Sequence, residues 1–510
     1  ETFEIELFPE NGEFTYNKGE VIAYSGNSGS TSGPHLHWEI RDENQNVLDP
    51  LRYGFKEIKD QIPPMVQKIA LVTMDIKSRV NGRFGRFEFQ VKRNESMFSI
   101  QEPITVWGKI GVEILAHDKL DGASNRNGIP CIEFSHNQEK IFEQDLETFS
   151  FSESRNIFVH TNYETMRSTG KRYMKLYVDD GNELRFYQTD ERKGVLLIKD
   201  TLTHELKIDL WDVYGNHGEA SFTLKGKNDL PNVIQRFDQG TMRSDYRIFD
   251  NALILQSLIE DDQIPLIEIY ANRLNYELTP VYTQQDQAIY LWDLSTGLPD
   301  SVNLCHKMLY FNFGVTVPPY RSFTYYHPQL EIKFKKKTLF DTLYFEHHYE
   351  SVPEANMEIF YLSDILIPMR NNAEVTLKPQ FVYQPKEKTA VFSINGKNKY
   401  NYFGGDWDQN GITFKTRDWG KYTLLVDSVP PTIKLLIKNQ DRLSFRIKDE
   451  LSGIAEYQAE VNGSWVLMNY DYKKNLIWSE KLDPNIPFQG ELVLKVTDNL
   501  GNENIYITKL

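Results

Sequence analysis

The sequence predicts an all-β protein built from several β-sandwich domains in tandem. Aromatic residues make up 13% of the chain, with 30 Phe and 28 Tyr, and these side chains favour the pleated surface of strands. The chain has 510 residues, whereas a single hydrophobic core stops growing at about 250–300 residues, so we expect more than one domain. Two distant stretches share one strand–turn–strand pattern, which indicates a repeated module.

Charge and composition argue against several classes of function. The net charge of −15 at pH 7 disfavours a surface for nucleic acid or anionic membrane, because such a surface needs basic patches. No apolar run approaches the roughly 18 residues that span a bilayer, so we expect no transmembrane segment. Cys131 and Cys305 show no disulfide-type spacing and are expected to be free, buried thiols.

The amino-terminal stretch, residues 1–55, contains two histidines in a strand-like pattern. After a glycine-rich loop comes an alternating segment in which Leu36 and Trp38 are expected to enter a core. His35 and His37 then share the opposite face, with Cα atoms about 6.5–7 Å apart. Neutral imidazole is a good zinc ligand, so this pair is a candidate metal site.

This segment closely resembles the C-terminal half of the catalytic domain of lysostaphin/LytM-type zinc endopeptidases. The matching stretches are residues 18–29 (KGEVIAYSGNSG), 32–41 (SGPHLHWEIR) and 49–51 (DPL). The resemblance implies a partial β-sandwich over residues 1–55, with His37 as a zinc ligand and His35 as the catalytic base or transition-state stabiliser. It also implies cleavage of peptide cross-links in peptidoglycan, and a place on the periplasmic or cell-surface side of the bacterial envelope.

The zinc centre implied by the resemblance is incomplete. Catalytic zinc takes about three protein ligands, and this family draws two of them from an upstream His-x-x-x-Asp motif. No histidine precedes His35, so we expect zinc only if those ligands lie ahead of Glu1, and this polypeptide alone to be inactive. His117 and Asp121 fit the motif by spacing but follow the histidine pair, and we interpret them as a strand end and a turn.

Two parts of the chain, residues 64–227 and 428–510, carry the repeated module. Each follows or contains a Pro-Pro pair, and each has an Asp-x-Leu-x-Gly turn, which begins at Asp118 and Asp449. Each also ends in a hairpin with an Asp-x-x-Gly-Asn turn. The hairpin turns are DVYGN (212–216) and DNLGN (498–502). The module resembles bacterial immunoglobulin-like β-sandwich domains, which run to about 100 residues.

The first copy is longer than the last, so we expect an insertion around residues 136–200. Residues 163–171 within it are predicted to form a short helix that ends at Gly170. The insertion is either a partner-binding loop or a long decorated hairpin, and the sequence leaves both interpretations open.

The middle of the chain predicts two further β-sandwiches, residues 228–330 and 331–427. Alternating strands and Asn-Gly pairs at Asn395 and Asn410 indicate hairpins there. The neighbouring histidines 347 and 348 are expected to pack across strands instead of binding a metal.

One turn of the first module is crowded with oxygen ligands. They are Asp118, Asp121, Asn125 and Asn127. Their spacing does not match the twelve-residue calcium loop of helix–loop–helix proteins. Such side chains also satisfy turn backbones by themselves, so a structural role is favoured over calcium.

Two functions follow from these observations. The first is an exported zinc metalloendopeptidase-like protein that hydrolyses peptide cross-links of peptidoglycan, as the resemblance implies, with the β-sandwich modules anchoring or orienting it in the cell envelope. The alternative is a non-catalytic periplasmic or outer-membrane scaffold, in which a degenerate peptidase domain and immunoglobulin-like modules bind envelope proteins, for example in an outer-membrane complex. The large β-sandwich region, about 450 residues, implies that protein contacts matter in either case.

Overall fold

The computed structural model describes residues 9–24, 35–228, 236–237, 245–259, 264–304, 307–396 and 399–510. Strands hold 50% of the chain and helices 6%, which confirms the predicted all-β class. The chain divides into two compact units. One unit is Ile40–Ser428, and the other consists of Val429–Leu510 and the described residues that precede Ile40. No helix in the described ranges is long and apolar enough to cross a membrane.

Sixteen strands and two helices lie between residues 40 and 226. The strands are β1 (Ile40–Arg41), β2 (Val47–Leu48), β3 (Met65–Thr73), β4 (Arg79–Val80), β5 (Arg86–Gln90), β6 (Lys92–Asn94), β7 (Met97–Ser99), β8 (Ile104–His117), β9 (Cys131–His136), β10 (Glu139–Asp145), β11 (Thr148–Phe149), β12 (Met174–Lys175), β13 (Tyr187–Thr189), β14 (Leu196–Ile198), β15 (Thr203–Trp211) and β16 (His217–Gly226). The helices are α1 (Ile157–His160) and α2 (Tyr163–Thr169).

The first sandwich is organised around β8. This strand pairs with β3, β4, β12, β14 and β16, so it runs through both layers of the sandwich. Its residues Ile110, Val112 and Ile114 are fully buried, in one core with Phe134 and Ile208. Burial of apolar surface, at about 25 cal/mol per Å², gives this sandwich a hydrophobic core of its own.

Residues 40–53 contact the insertion of the first sandwich, and they pair with no strand that precedes Ile40 among the described residues. β1, β2 and β11 form a three-stranded sheet, in which β2 pairs with β11 of the insertion. The predicted strand through His35 begins only at Ile40, and Leu36 and Trp38 are 79% and 53% exposed. An alternating strand buries one face only when a second layer covers it, and the described residues before Ile40 contain no strand.

The insertion contains the predicted helix. Asn162 caps α2 by accepting a hydrogen bond from the N–H of Thr165 at 2.9 Å. Gly170 ends the helix with φ +75°, a left-handed conformation that glycine adopts without strain. The free thiol of Cys131 lies half-buried at the start of β9, whereas Cys305 lies outside the described residues.

A second sandwich follows, with one sheet of five strands and one of four. Its strands are β17 (Arg236–Phe237), β18 (Tyr246–Phe249), β19 (Ala252–Leu258), β20 (Ile267–Ala271), β21 (Leu274–Leu278), β22 (Tyr282–Gln284), β23 (Gln287–Asp293), β24 (Pro299–Asn303) and β25 (Met308–Tyr310). Leu253, Leu255, Ile269 and Tyr290 are fully buried between the two sheets.

A third sandwich has sheets of six and five strands. Its strands are β26 (Phe313–Val317), β27 (Phe323–His327), β28 (Leu330–Phe334), β29 (Leu343–Val352), β30 (Met357–Leu362), β31 (Ala373–Leu377), β32 (Thr389–Ile394), β33 (Tyr400–Gly404), β34 (Asp406–Trp407), β35 (Ile412–Thr416) and β36 (Gly420–Val426). The boundary predicted at residue 330 differs from this arrangement, because β26 pairs with β29 and β27 pairs with β28.

The last sandwich has two sheets of four strands. Its strands are β37 (Thr432–Lys438), β38 (Leu443–Lys448), β39 (Ile454–Val461), β40 (Ser464–Val466), β41 (Met468–Asp471), β42 (Leu476–Ser479), β43 (Glu491–Asp498) and β44 (Glu503–Lys509). The predicted turn at 498–502 connects β43 to β44, as the turn at 212–216 connects β15 to β16 in the first sandwich.

A buried carboxylate fastens the insertion to the first sandwich. Glu113 on β8 is fully buried, accepting hydrogen bonds from Arg86 Nε at 2.7 Å and from Asn162 Nδ2 at 2.8 Å. We expect Glu113→Ala to cost about 1–3 kcal/mol, because it removes the buried acceptor of Arg86 Nε and Asn162 Nδ2 and leaves the half-buried Arg86 paired only with Glu88, at 2.9 Å. Calorimetry of the full chain checks this as a lower melting temperature. Glu205→Ala, which removes an exposed glutamate from β15, serves as the control, and equal melting of the two variants would contradict the assignment.

Candidate functional site

The two histidines predicted to act at a zinc centre lie on the surface. His35 and His37 are exposed and precede the first strand, and His37 Nε2 lies 3.8 Å from Glu39 Oε1. Neither histidine belongs to a group of three or more possible metal ligands within the described residues. The zinc and the catalytic roles assigned to them stay predictions, and the glycine-rich loop at 25–34 lies outside the described residues.

Three buried aspartates meet at one end of the first sandwich. Asp60 lies in the linker before β3, Asp118 directly follows β8, and Asp212 opens the turn after β15. Their exposed fractions are 8%, 4% and 7%. Each offers one carboxylate oxygen, and these three oxygens all lie within 4.8 Å of one another. We call these residues the aspartate cluster.

The two sequence turns position the linker at this cluster. Asn216 Nδ2 donates to the backbone oxygen of Asp60 at 3.2 Å, and the Tyr214 hydroxyl donates to the oxygen of Ile58 at 3.3 Å. From the other side, the backbone N–H of Gln61 donates to Asp121 Oδ1 at 3.3 Å. The linker is therefore held between the turn at 118–122 and the turn at 212–216.

Two carboxylate oxygens of the cluster lack a protein donor. Asp60 Oδ2 and Asp118 Oδ1 are buried and have no hydrogen-bond partner among the described residues. Asp212, by contrast, accepts from the N–H groups of Tyr214 and Asn216, both at 2.8 Å. A buried polar group without a partner costs free energy, so the two free oxygens mark a place where a ligand fits.

The electrostatics of the cluster disfavour three negative charges. Burial raises the pKa of Asp60, and the nearby carboxylates of Asp212 and Asp121 raise it further. Burial also raises the pKa of Asp118, to about 6, with contributions from Asp60 and Asp212. A positive charge bound at the cluster would relieve this repulsion.

The cluster faces a cavity of about 300 Å³. One wall is the polar cluster itself, and the other is apolar and includes Leu48 and Leu51 from the amino-terminal segment and Phe149 from β11. The cavity is thus enclosed partly by residues 40–53, so the cluster lies where the amino-terminal segment meets the first sandwich.

The sequence identified only one member of this cluster. The sequence places Asp118 in one turn with Asp121, Asn125 and Asn127, whereas in the structure Asp60 and Asp212 complete the group. The backbone of Asn127 forms a bridge with the backbone of Asp118, with an N···O distance of 2.9 Å. A signal was available, because an aspartate stands three residues before two of the three Pro-Pro pairs, at Asp60 and Asp427, and these are the two pairs that precede the repeated modules.

A second feature of this unit is the junction of its first three sandwiches. Arg155 of the insertion donates to the backbone oxygen of Met369 at 2.7 and 3.0 Å. Glu183, also of the insertion, pairs with Lys337 at 2.6 Å and with Arg370, both from the third sandwich. The insertion therefore contacts another domain of the same chain.

The second sandwich takes part in the same junction. The Tyr246 hydroxyl donates to Glu346 Oε1 at 3.1 Å, and the Tyr344 hydroxyl donates to Asn251 Oδ1 at 2.5 Å. Phe84 of the first sandwich packs edge-on against Phe249 of the second, with ring centroids 5.7 Å apart. Each pair of the three sandwiches is thus connected directly.

A cavity of about 750 Å³ lies at the point where the three sandwiches meet. Its lining includes the acidic residues Glu113, Glu164, Asp179, Asp250, Asp341, Glu346 and Asp364, and the basic residues Lys175 and Arg247. Asp250 and Asp341 are exposed along the wall of this cavity, and partial loss of solvation there raises the pKa of Asp250 to about 6, with Asp341 adding to the shift. The junction therefore holds more negative than positive side chains around its cavity.

The histidines of the third sandwich pack as the sequence predicted. His348 faces Tyr361 across β29 and β30, with ring centroids 5.3 Å apart. His347 stacks on Phe345 and meets His327 edge-on, with centroids 5.8 and 4.3 Å apart. Burial lowers the pKa of His347 to about 4, so this ring is neutral at physiological pH.

Comparison with solved structures gives distant similarities to chains of β-sandwich domains. A 1.5-MDa bacterial ice-binding adhesin is 8% identical, with 78% of this chain and 88% of that chain covered and a TM-score of 0.11. The human desmocollin-1 ectodomain is 10% identical, covering 81% and 77%, with a TM-score of 0.14. Immunoglobulin domains 1–5 of Sidekick-1 are 8% identical, covering 87% and 79%, with a TM-score of 0.12. Similarities this distant carry no argument about function.

The comparison with protein families corrects the interpretation of residues 1–55. No curated protein matches the chain. The family comparison gives no match to a peptidase, so the identification of a lysostaphin/LytM-type segment is wrong. The structure gives a physical reason, because β2 pairs with β11 of the insertion and, among the described residues, with no strand that precedes Ile40. What the families do match is the third sandwich: residues 316–427 are similar to the family described as a Zu5-like domain.

Proposed function

We propose that this chain is a non-catalytic scaffold that binds protein partners at the surface or in the envelope of a bacterial cell. The single observation that carries the proposal is the direct connection of each pair of the first three sandwiches. Such connections hold the exposed loops and strand edges of different domains in fixed relative positions, which is what a scaffold requires.

The insertion supports this role because it binds other domains of the same chain. The sequence alone is compatible with a partner-binding loop or a long decorated hairpin at residues 136–200. Arg155 and Glu183 in this insertion bind the third sandwich, and α2 binds the second through an ion pair between Glu164 and Arg247 at 2.8 Å. We infer that the insertion fixes the domains relative to one another, and that partners bind elsewhere.

A surface or envelope location is part of the same proposal. Many cell-surface proteins are built from β-sandwich domains, and the Zu5-like third sandwich and its neighbours continue this architecture over most of the chain. We further propose that the chain belongs to an outer-membrane complex.

Cell fractionation and native electrophoresis test the proposed function. We expect the tagged full chain in the envelope or surface fraction, accessible to added protease, and in a complex larger than its own 59.6 kDa. A monomeric chain in the cytoplasmic fraction would overturn the proposal.

At the junction, the backbone of the insertion lies very close to the backbone of the third sandwich, so a small substitution there should disturb the contact between the two domains. Gly181 lies so near the third sandwich that an added Cβ would stand 2.0 Å from the backbone oxygen of Phe340. We expect Gly181→Ala to cost about 1–3 kcal/mol of overpacking, lowering the melting temperature and the amount of native complex. Gly396→Ala is the matched control, because nothing lies within 4 Å of its added Cβ. Unchanged melting and assembly in Gly181→Ala would count against a rigid junction.

The acidic cavity predicts a pH dependence of stability. Because the pKa of Asp250 is raised from 3.8 to about 6, the folded chain is penalised at pH values above 6, and the penalty fades as the pH falls towards 3.8. The backbone at this position has a positive φ of 52°, a conformation that asparagine tolerates well. We therefore expect Asp250→Asn to melt above the wild type at neutral pH, with the gap closing on acidification. A gap that widens at low pH would contradict this assignment.

A further inference from the structure

The aspartate cluster joins three segments that are far apart in the sequence. Asp60 belongs to the linker, Asp118 to the end of β8, and Asp212 to the turn between β15 and β16. Each segment reaches the cluster through its own backbone contacts, so the folded chain keeps three carboxylates together in spite of their mutual repulsion.

Hydrogen bonds within the described part of the protein do not account for the close approach of the three carboxylates, because two of their oxygens have no donor. Asp60 and Asp118 are more than nine-tenths buried, and each directs one carboxylate oxygen to a position without a donor among the described residues. Within the described residues, the groups that act on Asp60 and Asp118 are backbone N–H groups and other carboxylates, and they include no positively charged side chain.

We propose that Asp60, Asp118 and Asp212 bind one calcium ion. Carboxylate oxygens are hard ligands, which suit Ca²⁺ and Mg²⁺ better than zinc or copper. Three carboxylates from three chain segments favour Ca²⁺, because Mg²⁺ demands near-ideal octahedral geometry and is usually held by one or two carboxylates. The adjoining cavity of about 300 Å³ leaves room for water to complete the 6–8 oxygen ligands of Ca²⁺.

The last module and the residue directly before it repeat all three motif positions. Asp427 stands three residues before Pro430, as Asp60 stands before Pro63. Asp449 opens the same Asp-x-Leu-x-Gly turn as Asp118, and Asp498 opens the same hairpin turn as Asp212. The paired turns alone do not require an aspartate before Pro-Pro, so its recurrence supports a common role for the three positions.

Calcium at this cluster would fasten the amino-terminal segment to the first sandwich. The ion would bind the linker through Asp60 and the sandwich through Asp118 and Asp212, beside the cavity that residues 40–53 help to enclose. Without the ion, the three carboxylates repel one another and loosen the linker. This role does not depend on the proposed scaffold function.

Calorimetric titration of the full chain with CaCl₂, after removal of metals with EDTA, tests the proposal. We expect Asp118→Asn to bind one calcium ion fewer than the wild type, or to bind it at least about tenfold more weakly, because ligand charge sets affinity in such sites. Glu205→Gln removes the same charge from an exposed position of β15 and should bind calcium as the wild type does.

Thermal unfolding separates a lost site from a failed fold. In EDTA, Asp118→Asn should melt at or above the wild-type temperature, because it relieves carboxylate repulsion. In calcium, the wild type should gain stability and the variant should not, and Mg²⁺ should give the wild type a smaller gain. Equal calcium binding by wild type and Asp118→Asn, absence of binding by the wild type, or an equal gain from Mg²⁺ would overturn the proposal.

Discussion

The structure of the first three sandwiches depends on the contacts that connect one domain to the next, and these contacts are both polar and apolar. Each sandwich has its own buried core, and Phe84 of the first also packs in an apolar cluster with Ala252 and Tyr282 of the second. The insertion of the first sandwich adds polar contacts by placing Arg155 and Glu183 on the third. Bonds to charged groups are stronger than bonds between neutral groups, and those of Arg155 and Arg370 are partly shielded from water.

Negative side chains are concentrated at two places in residues 40–428, the junction cavity and the aspartate cluster. The two places differ in how the negative charge is balanced. At the junction cavity, Lys175 and Arg247 stand among the acidic groups and offset part of their repulsion. At the aspartate cluster, the surrounding turns donate backbone N–H groups to Asp212 but leave oxygens of Asp60 and Asp118 free. This difference explains why we propose a bound cation at the aspartate cluster, whereas at the junction the basic side chains of the protein already offset part of the negative charge.

Local signals in the sequence predicted much of the fold. The turn at 212–216 and the helix end at Gly170 follow from short-range rules of hydrogen bonding and left-handed backbone, and both are present. The prediction of a strand through His35 was wrong, because the described residues form a strand only from Ile40. Alternation of apolar and polar residues shows which face of a strand would be buried, but it does not show whether a second layer covers that face. The aspartate cluster was missed for a related reason: Asp60, Asp118 and Asp212 meet only through the tertiary fold.

The central claim is that the first three sandwiches form one rigid frame. It is tested most directly by measuring the distance between spin labels on Lys225 of the first sandwich and Lys415 of the third, both exposed, with Cys131 and Cys305 replaced by serine. A single narrow distance distribution is the result that the account predicts. A broad distribution, or several separate distances, would show that the sandwiches move independently and would contradict it.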